Sequence, residues 1–162
     1  MARNDKQALQ HIRQMVKKTH WIKGDLKRIL EFEYEEELDC YGNQTCKIDP
    51  ETGQYVAGKM GHCLMGLVAE ALDINIETFY ERYQIDFEQG INMFPQASRI
   101  TARLVDALTP TQKQQYTAKK YSRYGEDMTQ GTQNALSIER FNDSDDTEKQ
   151  DILNLLDRAI DG

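Results

Sequence analysis

"GKMGHCLMGLVAEAL", residues 58–72, decides how this chain is read. Leu64, Leu67, Val68, Ala71 and Leu72 recur at i, i+3, i+4, i+7 and i+8, one apolar stripe along a helix. That stripe predicts the central core helix. Directly before it stand His62 and Cys63. The pair raises three readings: a reactive thiol, a metal site, or a helix start whose sulfur packs inward.

On the N-terminal side, residues 5–18 carry Leu9, Ile12, Met15 and Val16 at helical spacing, with Lys17 and Lys18 at the end that favours cations. "HWIKGDL" follows. "LEFEYE" then alternates Leu30, Phe32 and Tyr34 with Glu31, Glu33 and Glu35. This predicts a strand with one acidic face. Leu26, Ile29, Leu30 and Leu38 also fit a helix, but a helix would put Phe32 and Tyr34 on the wrong side. "DPETGQ" is a turn, with Pro50 setting φ and Gly53 supplying a positive one; short strands around it would make a hairpin or ribbon.

On the C-terminal side, Asn75 caps a short helix carrying Phe79, Tyr80 and Tyr83, and residues 85–94 read as irregular. Pro95 opens a helix whose inner face is Ile100, Leu104, Ala107 and Leu108. Thr109 and Pro110 cap and open the next, which is expected to run to about Tyr124 before Gly125. "GEDMTQGTQN" reads as a loop. The last helix is expected to start at a Thr147–Gln150 capping box and to bury Ile152, Leu155, Leu156, Ala159 and Ile160. The expectation is an α+β fold: a mostly helical single domain over residues 1–162, with a small β-hairpin or short sheet near residues 20–60. The helix at 63–72 is placed at its centre, with the C-terminal helix packed on it.

The 162 residues suffice for a hydrophobic core, and mean hydropathy is -0.74. No apolar run approaches the roughly 20 residues a membrane helix needs, so no membrane role is expected. "MARNDKQALQ" lacks an apolar leader segment, so a cytoplasmic protein (host cytoplasm if phage-encoded) is expected. Cys40, Cys46 and Cys63 then read as reduced thiols. Net charge is -7, arranged in blocks: residues 1–30 basic, "EFEYEEELD" (31–39) strongly acidic, 97–124 basic, and the tail from Glu139 acidic. Such blocks either neutralise one another across the fold or present a charged face to a partner. The overall negative balance disfavours a general nucleic-acid binder.

Trp21 and Gly24, the "HCLMG" entry to the core helix, and "SIERFND" before "TEKQDILNLLDRAI" occur together. In this combination the chain resembles an uncharacterised family of small bacterial and phage proteins, a domain of unknown function. The pattern is a W-x-x-G segment, a C-x-x-G helix start, and an N-D loop before a Thr-capped last helix. It falls here on Trp21, Gly24, Cys63, Gly66, Asn142, Asp143 and Thr147. The resemblance is best at 9–24, 58–72 and 136–160; residues 31–39 and 75–130 depart from it. It implies a fold, a phage or mobile-element origin, and no activity.

As a nucleophile, Cys63 would be activated by the positive end of its helix. His62 is adjacent in sequence, His11 or His20 could serve as base, and Asp143 could orient it. The plainer reading makes Cys63 a small buried residue beside Leu64 and Leu67. Zinc is not expected from Cys40, Cys46, His62 and Cys63, because structural zinc prefers C-x2-4-C knuckles and adjacent ligands close one tetrahedron poorly. "NDSDDTE" (142–148) lacks the glycine and final glutamate of a calcium loop. It reads instead as a helix entry in which Asn142 and Asp143 turn the chain. No cofactor motif is present: no phosphate-binding glycine loop, nucleophile elbow or H-E-x-x-H occurs.

"YTAKKYSRYG" (116–125) interleaves Tyr116, Tyr121 and Tyr124 with Lys119, Lys120 and Arg123, which suits a nucleotide or RNA surface or an amphipathic helix covering the core. Glu33, Glu35 and Glu37 mark a solvated strand face, or one that competes for a cationic surface by imitating phosphates. Three functions are open. The leading one is a binding or regulatory protein acting on a protein partner, such as a host or defence component, through its charged surface. The others are a Cys63 enzyme of acyl-type transfer or hydrolysis, and a nucleotide or RNA binder using 116–124.

Overall fold

The computed structural model describes residues 2–18, 20–118 and 128–162. Within them lie α1 (Asp5–Lys17), β1 (Arg28–Phe32), β2 (Ala57–Gly61), α2 (Leu64–Ala71), α3 (Ile76–Tyr83), α4 (Pro95–Ala107), α5 (Pro110–Tyr116), α6 (Gln130–Asp143) and α7 (Lys149–Asp161). β1 and β2 pair antiparallel, so the fold is α+β. Among the described residues no helix is long and apolar enough to cross a membrane.

Local chemistry sets most boundaries. Asn4 and Gln7 form a capping box at α1, and Thr109 with Gln112 forms another at α5. Asn75 accepts from the Thr78 N–H at α3, and Pro95 and Pro110 open α4 and α5. At "DPETGQ" the Gly53 N–H donates to Asp49 O (2.8 Å), Gly53 has φ +71°, and Ile48 pairs with Tyr55 across the turn. The alternation over 30–34 is also extended: β1 is continued by a bridge between Tyr34 and Cys46.

α2 is central. Leu64, Met65, Gly66, Leu67, Val68, Ala69 and Ala71 are all buried, the mark of a helix enclosed on every side. It packs on α1, α4 and α6. One hydrophobic cluster joins it to Leu9 and Ile12 of α1, Ile100 and Leu104 of α4, Ile138 and Phe141 of α6, and Leu155 and Leu156 of α7.

Four expectations need correction. α7 packs chiefly on α1 and α4 rather than on α2. Arg13 pairs with Asp157 (2.5 Å) along the α1–α7 seam, and Arg103 donates to Ala159 O (2.5 Å) between α4 and α7. α7 also starts two residues after Thr147: Glu148 is the cap, its N–H donating to Asp151 (2.8 Å), while Thr147 is buried in the turn that its N–H closes on Ser144 O.

α5 stops at Tyr116 instead of running to Tyr124. The Ala118 backbone is held by α6, its N–H donating to Ser137 Oγ (2.9 Å) and its carbonyl accepting from Gln133 Nε2 (2.7 Å). These bonds draw the chain off the helical path. Finally, α6 occupies residues 130–143, where 130–134 were expected to be loop and Asn142 and Asp143 a turn. Its buried face mixes Ala135, Leu136, Ile138 and Phe141 with Gly131, Thr132, Ser137 and Asn142, so no apolar stripe announces its first turn.

Candidate functional site

Residues 20–26 thread between the start of α2 and the end of α6. The His62 N–H donates to His20 O (2.7 Å), Ile22 N–H to His62 O (3.0 Å) and Cys63 N–H to Asp25 O (3.0 Å). Asn142, fully buried in the last turn of α6, ties the three segments together. Its Oδ1 accepts from the Trp21 indole N–H (2.5 Å) and from the Leu64 N–H (2.9 Å). Its amide nitrogen donates to Ile22 O (3.1 Å) and to Asp143 Oδ1 (2.9 Å). That carboxylate also accepts from the Gly24 N–H (2.8 Å). Lys23 Nζ donates to Ser144 O (2.6 Å) at the C-terminal end of α6, where a cation is favoured. Trp21, Gly24, Cys63, Gly66, Asn142 and Asp143, far apart in sequence, therefore meet at one junction.

Cys63 is the N-cap of α2, one position before its first turn. Its Sγ accepts from the Gly66 N–H at 3.4 Å, the role serine or threonine usually fills. Cys63 is buried, at 4 % exposure. Burial pushes the thiol up to about 12; the Gly66 N–H opposes this, while the negative charges of Glu88 and Asp143 add to it. Desolvation thus outweighs the helix dipole, and the group is a neutral thiol at pH 7.

A cavity of about 360 Å³ adjoins Cys63, with Gly24, Asp25, Glu88 and Asp143 among its walls. Among the described residues no histidine lines it. His62 faces a neighbouring cavity with Gly66, Glu70 and Asn75, and its Nδ1 lies 3.3 Å from Leu26 O. Burial lowers the His62 imidazole from its ordinary value. His20 Nδ1 is 2.8 Å from Met60 O, and His11 belongs to α1, lowered first by burial and then by Arg3. The residues nominated for acid–base work are thus spread over separate surroundings. Among the described residues no group of three or more His, Cys, Asp or Glu is placed to hold a metal ion.

The raised thiol gives a pH prediction. Below about pH 9 both folded and unfolded chains keep the proton. Between there and about 12 only the folded chain keeps it, so stability falls as pH rises, by up to about 1.4 kcal/mol per unit. Denaturant titrations of wild type and Cys63→Ser should show wild type losing about 2 kcal/mol more between pH 9 and 10.5. Parallel curves would contradict the burial argument.

The other nominated residues divide sharply. Tyr116 is buried, its ring 5.6 Å from Phe141 and its hydroxyl donating to Ser144 Oγ (3.0 Å), so it offers no open stacking face. Lys119, Lys120, Tyr121, Arg123 and Tyr124 lie outside the described residues. Glu33, Glu35 and Glu37 are exposed on a projecting ribbon, where residues 31–45 are exposed without exception. The ribbon forks at Glu33: its N–H donates to Val56 O (3.0 Å) and its carbonyl accepts from Lys47 N–H (2.8 Å). One branch turns at Asp39–Asn43 and the other at Asp49–Gly53. Residues 31–60 hold eight carboxylates and two lysines, a net of -6 against -7 for the whole chain. The sequence showed the acidic run at 31–39; only the fold joins Asp49 and Glu51 to it.

Comparison with known proteins gives one family. The family of unknown function DUF6197 matches residues 2–162. The chain belongs to DUF6197. No curated protein and no solved structure matches it. For this DUF6197 chain the match spans both the helical body and the acidic ribbon.

Proposed function

We propose that this chain is a binding and regulatory protein that engages a basic surface on a protein partner through its acidic ribbon. The observation that carries this reading is the placement of charge. The ribbon holds a net of -6 on exposed, extended chain, whereas the rest of the molecule is close to neutral. Such a concentrated field steers association with an oppositely charged partner and selects against like-charged ones. The enzyme reading has less support, because Cys63 is a buried cap without a histidine at its cavity. The resemblance noted in the sequence makes a phage or mobile-element setting, with a host or defence component as partner, part of the proposal.

The test compares immobilised wild type with E33Q/E35Q/E37Q in a bacterial lysate. Wild type should retain a protein at low salt and release it as salt rises, since exposed charges are screened within roughly 10 Å at 0.1 M. The glutamine variant should fail to retain it. Equal retention by both would remove the ribbon from the interface.

A further inference from the structure

The ribbon carries exposed apolar side chains among its carboxylates. Phe32 and Tyr34 alternate in sequence with Glu31, Glu33 and Glu35, all of them exposed. Across the ribbon Tyr34 opposes Cys46, and Ile48 opposes Tyr55. The rings of Phe32 and Tyr55 meet edge to face at 5.5 Å. Phe32 and Tyr34 lie two residues apart on one segment, and Cys46 and Ile48 two apart on the segment facing it, so these pairs adjoin; Phe32, Tyr34, Ile48 and Tyr55 are 38, 45, 53 and 57 % exposed. The fold does not bury this strip in its own core. A contiguous exposed apolar strip with a charged border is the usual anatomy of an interface: an aromatic centre and a polar rim.

We infer that this face is the docking surface for a partner protein that presents an apolar strip bordered by arginine or lysine. The inference rests on the binding reading above and adds the chemistry of contact. Charge decides the occupant. A second copy would bring together two ribbons of net -6 each, and a nucleic acid would add phosphates to the same field. A basic protein gains on both counts: its apolar residues cover Phe32, Tyr34, Ile48 and Tyr55, and its cations meet the surrounding carboxylates.

Two labelled peptides of equal charge serve as probes: one alternating arginine with leucine, one of arginine alone. Wild type should bind the alternating peptide about tenfold more tightly. Tyr34→Ser with Tyr55→Ser leaves net charge unchanged and should abolish that preference while leaving the arginine-only affinity as it was. E33Q/E35Q/E37Q should weaken both. On the unaltered chain, the alternating peptide should slow alkylation of Cys46, which is partly exposed, and leave exposed Cys40 unaffected. This holds independently of whether a variant folds.

No preference between peptides and no protection of Cys46 would overturn the docking face. If the glutamine variant still weakened both peptides, the charge-based reading would stand without it. Failure of wild type to bind either peptide at low salt would defeat both. Sedimentation should show a monomer; a dimer abolished by the serine substitutions would give the face to a second copy and overturn the assigned occupant.

Discussion

Asn142→Ala should lower the free energy of unfolding by about 3–5 kcal/mol. The side chain is fully buried and makes four hydrogen bonds across three segments. Alanine would leave the Trp21 indole N–H and the Leu64 N–H without their acceptor, and Ile22 O without this donor. Each buried group so orphaned costs about 1–3 kcal/mol. Asn142→Asp separates the contributions. It keeps an acceptor for both N–H groups, but loses the amide donor and sets a second carboxylate beside Asp143. It should therefore also destabilise, and less at pH 4 than at pH 7, as protonation relieves the repulsion. Guanidinium titrations of the three proteins measure this. A loss below about 1 kcal/mol for Asn142→Ala would mean that the junction is not the tie between α2, α6 and residues 20–26.

Gly66→Ala is the second large effect, and its sign opposes helix propensity. In an unconstrained helix interior, alanine is favoured over glycine by up to about 1 kcal/mol. Here a Cβ at position 66 would stand 1.9 Å from Leu26 O and 2.8 Å from the Leu26 carbonyl carbon. Those are backbone atoms on a strand of chain fixed by the His20, Asp25 and Asn142 hydrogen bonds, so they cannot rotate away. Overpacking typically costs about 1–3 kcal/mol, and a backbone clash in a clamped segment belongs at or beyond the upper end, about 3 kcal/mol or more. Thermal unfolding followed by circular dichroism reads it directly. A raised midpoint would show that the segment 20–26 yields freely and that Gly66 is no contact point.

These two residues also show where sequence reading stops. The motif residues Gly66 and Asn142 stood out in the sequence, but their partners are 40 and 78 or more positions away, and no local rule links them. Helices with a strong apolar stripe or an explicit cap were legible: α1, α2, α3, α4 and α7 all fall near their predicted places. α6 was not, because it buries glycine, threonine, serine and asparagine against neighbours chosen for close approach and hydrogen bonding. Its Gly131 has Asn92 Oδ1 at 2.2 Å from where a Cβ would be. The end of α5 was overrun for a related reason: Ser137 and Gln133 of α6 hold the Ala118 backbone, a tertiary contact invisible from residues 110–124.

The candidate site divided the same way. The acidic run could be read directly, and so could its alternation with Phe32 and Tyr34. The fate of the Cys63 thiol depended on a contest between helix dipole and desolvation, which only burial decides. A thiol at the start of a helix is activated when water reaches it and suppressed when surrounding residues exclude water. Here Cys63 is 4 % exposed within the core cluster, and its sulfur serves the backbone of α2 as a cap.

The account stands on that assignment: the sulfur at the head of the central helix holds structure, and interaction belongs to the ribbon. Site-resolved alkylation of the native chain with iodoacetamide at pH 7, followed by mass spectrometry over time, tests it most directly. The account predicts that Cys40 reacts first, Cys46 more slowly, and Cys63 only when denaturant opens the core. Rapid modification of Cys63 in the folded chain, ahead of Cys40, would contradict it and restore the thiol as a reagent.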